Sequence, residues 1–470
     1  MRLVALLFLL LPISTAAATL AQRIEKILSQ PAARRAFWGV EVLDLDSRQT
    51  LYQLNADRLF TPASNTKLFS TALALVRLGP NHRFLTRLAA TSPPDADGRI
   101  AGDLVLVGGG DPNFSSRVLP YETQTEFLKN RLEPVDDLAA QVAELGVRRI
   151  DGDIVGDDTF FVWQRYPEGW AQDDTIHGDG APVSALVMND NTVTLRIRPG
   201  ERVGDPAWLT VNPPAGYFTI DNRTRTVEPG VAARSIRIHR EPGEQTLRVW
   251  GEIAVGDKGR AEILAIDDPA LFAAQALRDA LLRRSIVVLG RPVSRHAFPY
   301  EFADLAKGGP AETPGGEWVL ASRSSMPLIE DLRVTNKISQ NLHAELLLRA
   351  AARSRRGIGS IEASLAELKQ FLLEAGIAPE NFSFRDGSGL SRMNLVSPAA
   401  GVTLLAYMWD SPYRGQWLET LPLAAVDGTL RGRFVSTAAA VRLRGKTGTL
   451  SHVSALSGYL APADGGHIAF

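Results

Sequence analysis

The periodicity of this chain changes twice, and that change limits the folds open to it most. Pro62 to Leu78 carries apolar residues at helical spacing, with a proline at its start and Gly79-Pro80 as its stop. From about residue 83 to about 317 the pattern turns to short β-type runs, such as Asp103 to Val107, Thr192 to Arg198, Ser235 to Ile238 and Leu247 to Trp250, separated by Gly, Pro and Asp. Within that stretch only Thr125 to Leu145 and Pro269 to Arg284 read as helices. Helical spacing then returns in Leu328 to Ala352 and Ile361 to Ala375. No fixed-period repeat is present, so a solenoid is excluded. The simplest arrangement is a helix-rich α/β domain split by a long β-rich insertion. Its first part spans 19–82, the insertion 83–317 and its second part 318–470. At the front, an amphipathic stretch from Ala21 to Leu28 precedes Trp38 to Asp46, which reads as a strand, a turn at Ser47 to Thr50, and a second strand.

Composition narrows the chemistry. The chain has no cysteine, which removes disulfides, thiolate metal sites and cysteine nucleophiles. A formal net charge of -1 over 470 residues leaves no electrostatic footprint for nucleic acid. The basic residues are mostly arginine, which cannot act as a proton acceptor, so lysines within motifs draw attention to amine chemistry. Residues 1–18 combine Arg2, an apolar run from Leu3 to Ile13 and the small residues Ala16 to Ala18. That is the pattern of a secretory signal peptide, and it predicts an exported, periplasmic protein with no transmembrane span in the mature chain.

Three short motifs occur in order. Ser64-Asn65-Thr66-Lys67 is S-x-x-K, Ser339-Gln340-Asn341 is S-x-N, and Lys446-Thr447-Gly448 is K-T-G. The first two arise easily by chance, whereas all three once each in this order is expected on the order of a few times per thousand such chains. Residues i and i+3 of a helix share a face, so the Lys67 amine can sit beside the Ser64 hydroxyl and take its proton when neutral. The helix start adds N–H groups and positive dipole character where a carbonyl oxygen becomes negative. Lys446 is expected to bear a permanent positive charge that lowers the Lys67 pKa and anchors a carboxylate. Val441 to Leu450 reads as a strand, on which the bare Gly448 leaves room for an extended substrate and Thr449 presents an N–H to the oxyanion.

With these motifs the chain resembles the D-Ala-D-Ala carboxypeptidase/endopeptidase family, the low-molecular-mass class C penicillin-binding proteins. Asn336 to Glu345, Asp386 to Asn394, Leu421-Pro422 with Asp427 to Leu430, and Gly108 to Pro112 are similar to that family's recurring stretches. The resemblance covers nearly the whole chain beyond the leader. It implies a β-lactamase-like transpeptidase domain carrying a two-part inserted β-rich region. It also implies a serine-type carboxypeptidase that trims or cleaves peptidoglycan stem peptides, is acylated by β-lactam antibiotics and needs no cofactor. In those terms Ser64 is the nucleophile, Lys67 its base and Ser339 a proton relay. Asn341 binds substrate and Lys67; Lys446 and Thr447, beside Gly448, hold the terminal carboxylate; the Ser64 and Thr449 N–H groups form the oxyanion hole. Asp386 to Ser391 supports the cleft wall. Two departures stand out: Ala425 occupies a position where glycine is usual, and the chain ends at Phe470, before the strand continuation and C-terminal helix usual in the family. That ending predicts an incomplete sheet with an exposed apolar edge.

Competing readings lack their residues. His177-Gly-Asp179 and Asp173-Asp174 are the best metal candidates, without an H-E-x-x-H, and Asp95 to Gly98 lacks the remaining ligands of a calcium loop. Gly108 to Gly110 opens no phosphate-binding pattern, and no G-x-S-x-G elbow occurs. A β-lactamase and a catalytically inactive cell-wall-binding protein remain as alternatives to the peptidase.

Overall fold

The computed structural model describes residues 19–230, 234–299, 317–463 and 465–470; the signal peptide expected over 1–18 lies outside them. Nine helices occur among the described residues: α1 (Leu20–Leu28), α2 (Thr66–Leu78), α3 (Glu133–Glu144), α4 (Pro269–Arg283), α5 (Leu328–Lys337), α6 (Asn341–Arg356), α7 (Ile361–Glu374), α8 (Pro398–Asp410) and α9 (Arg414–Thr420). None is long and apolar enough to cross a membrane.

The first and last parts of the chain build one α/β unit. Its sheet has five strands in the order Leu443–Leu450, Val453–Leu460, Ile468–Ala469, Val40–Asp44 and Thr50–Leu54. The short Ile468–Ala469 strand pairs antiparallel on both sides, with Tyr459 and Leu460 on one and Leu43 and Asp44 on the other, and Ala469 is fully buried. The alternating side chains of a half-covered strand need a hydrophobic partner on one face. Leu68, Phe69, Leu73, Leu346, Leu347, Phe371 and Trp417 supply it in a core of fully or nearly fully buried residues drawn from α2, α6, α7 and α9. α2 and α6 pack against each other, which brings their side chains together at one end of the sheet.

The inserted part has its own core. A mixed five-stranded sheet, in the order Pro292–Ala297, Ile154–Val162, Leu104–Val107, Leu85–Ala90 and Trp318–Ser324, packs against α3 and α4. Leu138, Val142, Phe272, Leu277 and Leu281 from those helices fill the interface. Between Thr192 and Ala265 two three-stranded sheets make a smaller all-β part. The structure corrects two sequence boundaries. Trp318–Ser324 pairs with Leu85–Ala90, and Phe84 and Ser325 exchange hydrogen bonds, so the insertion closes at Ser325 rather than at 317. Residues 125–132 are not helical, and α3 starts only at Glu133, with Pro134 in its first turn. At the end of the insertion, the β-type texture of the returning strand passes into the helical texture of α5 without a break in composition, so the pattern alone does not mark the junction.

Candidate active site

Pro62 leads into a single 3₁₀ turn, Ala63–Asn65, that runs directly into α2. Ala63 is held at φ +48°, a left-handed conformation that costs a residue with a Cβ roughly 1–2 kcal/mol. That bend sets Ser64 at the mouth of the turn, half-buried, while Lys67 lies beneath it and is fully buried. The Lys67 Nζ donates to Ser64 Oγ at 3.0 Å, to Asn341 Oδ1 at 2.6 Å and to the Ser388 carbonyl at 2.6 Å. The S-x-x-K spacing thus produces the expected contact, and two further acceptors complete the amine's three donor sites.

Ser339 and Asn341 come from a feature the helical spacing conceals. Leu328 to Ala352 reads as one helix, but the structure breaks it between α5 and α6. Ile338 ends α5, Ser339 adopts φ +66°, and the Gln340 side chain caps α6 by accepting from the Leu342 N–H at 2.8 Å. Periodicity of apolar residues survives a three-residue interruption, so the break is invisible in the pattern. Its effect is to turn Ser339 away from Asn341. Asn341 reaches Lys67, while Ser339 Oγ accepts from the Lys446 Nζ at 2.8 Å.

The K-T-G strand closes the other side. Leu443–Leu450 is an edge strand, paired on one side in unbroken register with Val453–Leu460. On its outer edge the Gly445 N–H donates to the Pro422 carbonyl and the Leu443 carbonyl accepts from the Ala424 N–H. Peptide groups of alternate residues in a strand point the same way, so Thr447 and Thr449 also direct their N–H and C=O groups to that outer edge. Beyond Gly445 this edge faces the Ser64 turn. A Cβ on Gly448 would lie 2.5 Å from the Pro62 carbonyl oxygen and 3.1 Å from the Ser64 nitrogen, so only glycine admits this approach. The Thr447 hydroxyl donates to Thr429 Oγ1 at 2.9 Å, tying the strand to the Asp427–Leu430 stretch, and Asp427 forms a buried ion pair with Lys337. Ala425 in this loop sits at φ +63°. Glycine removes that strain at some cost in unfolded-chain entropy, so Ala425→Gly is expected to stabilise the fold by roughly 0.5–1 kcal/mol in chemical denaturation.

The electrostatics revise one expectation. Burial brings the Lys67 amine down to about 8, against the opposing pull of Asp386, Glu345 and Asp179. Lys446 is also fully buried, and burial together with the neighbouring Lys67 holds its amine well below the usual lysine range. The permanent charge expected on Lys446 is therefore not what depresses Lys67; removal from water is, and the mutual repulsion falls on Lys446.

Sequence reasoning missed three contributors. The Ser388 carbonyl holds Lys67, and Ser388 belongs to a segment tied down by Asp386, which accepts from the Gly389 and Ser391 N–H groups at 2.8 and 2.7 Å. The inserted part reaches the site twice: Trp170 Nε1 donates to Asp386 at 2.9 Å, and Asn341 Nδ2 donates to the Asp179 carbonyl at 2.8 Å. No local pattern marks a backbone carbonyl as a lysine partner, and Asp179 lies 162 residues from Asn341 in the chain. His177, Asp173 and Asp174 do not gather into a metal site, and no cluster of three potential ligands exists among the described residues.

A serine at a helix start beside a buried amine, facing an open strand edge and a second lysine–serine pair, is equipped for acyl transfer. Known proteins are similar to this chain in fold and in sequence. The structure is similar to the crystal structure of penicillin binding protein 4 from Haemophilus influenzae, with a TM-score of 0.77 and 24% identity, covering 92% of this chain and 88% of the other. The sequence is 25% identical to the D-alanyl-D-alanine carboxypeptidase DacB of H. influenzae over 98% of this chain and 90% of that protein. It is 35% identical to a D-alanyl-D-alanine carboxypeptidase of an Actinomadura species over 96% of this chain and 80% of the relative. Residues 20–470 match the D-Ala-D-Ala carboxypeptidase 3 (S13) family throughout, and with the three motifs assembled around Ser64 this chain belongs to that family.

Proposed function

We propose that this protein is a serine-type D-alanyl-D-alanine carboxypeptidase acting on peptidoglycan stem peptides, with Ser64 as its nucleophile. The observation that carries the reading is the Lys67 amine, buried and lowered to about 8, placed 3.0 Å from Ser64 Oγ. Lys67 in its neutral form takes the Ser64 proton as Oγ attacks the carbonyl carbon of the penultimate D-Ala. The Ser64 and Thr449 N–H groups receive the developing oxyanion. The C–N bond then breaks, and the leaving D-Ala amine takes a proton from the Ser339 hydroxyl, which Lys446, donating to Ser339 Oγ, replaces. Thr447 and Lys446, on either side of the open edge, receive the terminal carboxylate. Water then attacks the ester carbonyl, giving a proton through Ser339 back to Lys446, and the ester C–O bond breaks as Lys67 returns its proton to Ser64 Oγ. β-Lactams, whose amide occupies the same place and whose leaving group stays tethered, acylate Ser64 and persist; a relative of this fold has been crystallised with a β-lactam. The leader pattern of residues 1–18 supports export to the periplasm, where such a substrate lies.

The test is release of D-alanine from a peptide ending in D-Ala-D-Ala, run beside intact-mass measurement after brief exposure to benzylpenicillin. Turnover of the peptide and a long-lived one-to-one adduct mapped to Ser64 are expected. An adduct lost within seconds points to a β-lactamase. Neither adduct nor turnover leaves a binding protein.

A further inference from the structure

The segment that offers the Ser388 carbonyl to Lys67 is held in part by its own Asp386 and in part from outside. Two consecutive peptide planes set the direction of that carbonyl, and each is gripped at both ends. In the Ser388–Gly389 plane the carbonyl meets Lys67 and the Gly389 N–H meets Asp386. In the Gly387–Ser388 plane the Gly387 carbonyl accepts from Ser70 Oγ at 2.8 Å, and the Ser388 N–H donates to Glu345 Oε1 at 2.8 Å. The same Glu345 oxygen accepts from the Gly387 N–H at 2.9 Å. Glu345 stands on α6 one turn beyond Asn341, so one helix supplies a direct partner of Lys67 and the clamp on another.

We propose that Glu345 is a positioning residue for acyl transfer: it locks the Gly387–Ser388 peptide so that the Ser388 carbonyl meets Lys67, and its charge state governs how firmly Lys67 keeps its proton. This rests on Lys67 acting as the base for Ser64. Glu345 is 2% exposed. It faces Asp386 from the 386–391 segment, Arg349 from the next turn of α6, and Lys67 from α2. Lys67 in turn faces Asp386, Asp179 and Lys446. Burial, reinforced by Asp386, raises the Glu345 carboxyl to about 8, against the pull of Ser388, Arg349 and the Gly387 N–H. At neutral pH the protonated acid still accepts both N–H groups through its carbonyl oxygen. As pH rises it becomes a carboxylate over the same range in which Lys67 sheds its proton, and the new negative charge retains the ammonium form. The rise of acylation with pH is thereby pushed upward and broadened.

The experiment is the second-order rate of acylation by a chromogenic cephalosporin from pH 6 to 10 for wild type, Glu345→Gln and Glu345→Ala. Glu345→Gln keeps an oxygen acceptor but never ionises. Its rate at pH 7 should stay within about threefold of wild type, while the midpoint of its rise moves down by about half a pH unit or more. Glu345→Ala frees both peptide planes and should lose about 10- to 100-fold at every pH. A role confined to stability would lower amplitudes and leave the midpoint in place. An unchanged midpoint in Glu345→Gln, or wild-type rates in Glu345→Ala, overturns the proposal; absence of acylation in the wild type overturns the function and this inference together. Should the variants not fold, carboxyl-labelled glutamate NMR of the wild type decides. One glutamate titrating near 8 is expected, and a spectrum in which every glutamate titrates below about 6 refutes it.

Discussion

Ser64→Ala is expected to give a folded protein that takes up no benzylpenicillin and releases no D-alanine. The hydroxyl is half-buried and has one hydrogen-bond partner among the described residues, the Lys67 amine, so its loss removes little from the fold, on the order of 1 kcal/mol. Lys67 retains Asn341 and Ser388 as partners, which keeps the buried amine satisfied. The turn that presents residue 64 is set by Ala63 and by the Pro62 carbonyl against Gly448, neither of which involves the serine side chain. Catalysis, by contrast, loses the atom that forms the acyl-enzyme in the proposed mechanism. Removal of a serine nucleophile lowers turnover by on the order of 10⁶-fold, below what a D-alanine release assay detects. Intact mass after penicillin exposure, with circular dichroism to confirm folding, checks both halves. A labelled Ser64→Ala protein would place the nucleophile elsewhere.

Lys67→Arg carries the second large effect. Arginine keeps a positive charge but cannot release it, and a guanidinium held there cannot take the serine proton. Acylation should fall by about 10²- to 10⁴-fold, the usual worth of a positioned general base. The pH profile separates this from simple misfit. In the wild type the neutral amine is the active form, so acylation rises with pH through about 8 and at pH 7 runs at roughly a tenth of its maximum. Lys67→Arg should show a low rate with no such rise. Lys67→Ala adds a structural penalty, because the Asn341 and Ser388 oxygens lose their donor and the nearby carboxylates lose their counter-charge. Breaking a buried ionic cluster in this way costs about 3–5 kcal/mol, which urea denaturation reads directly. An arginine variant acylated at wild-type rates would assign the base to another group, such as Lys446.

The sequence alone pointed to acyl transfer on a serine. Ser64 and Lys67 are three residues apart at a helix start, a local relation that helical geometry turns into contact wherever the helix lies. The split domain was legible for the same reason, since strand and helix periodicities differ and each is written in neighbouring residues. Everything that joins distant segments was settled by packing. The break that sends Ser339 to Lys446 and Asn341 to Lys67 depends on one left-handed residue within a helical pattern, and its strain persists because both partners are buried against it. The insertion's last strand belongs to the sheet begun by Leu85–Ala90, a pairing across more than 200 residues that no local texture records. The acidity of Lys67 is likewise tertiary: the amine is lowered because α2, α6 and the 386–391 segment close water away from it, and burial is a property of the assembled chain.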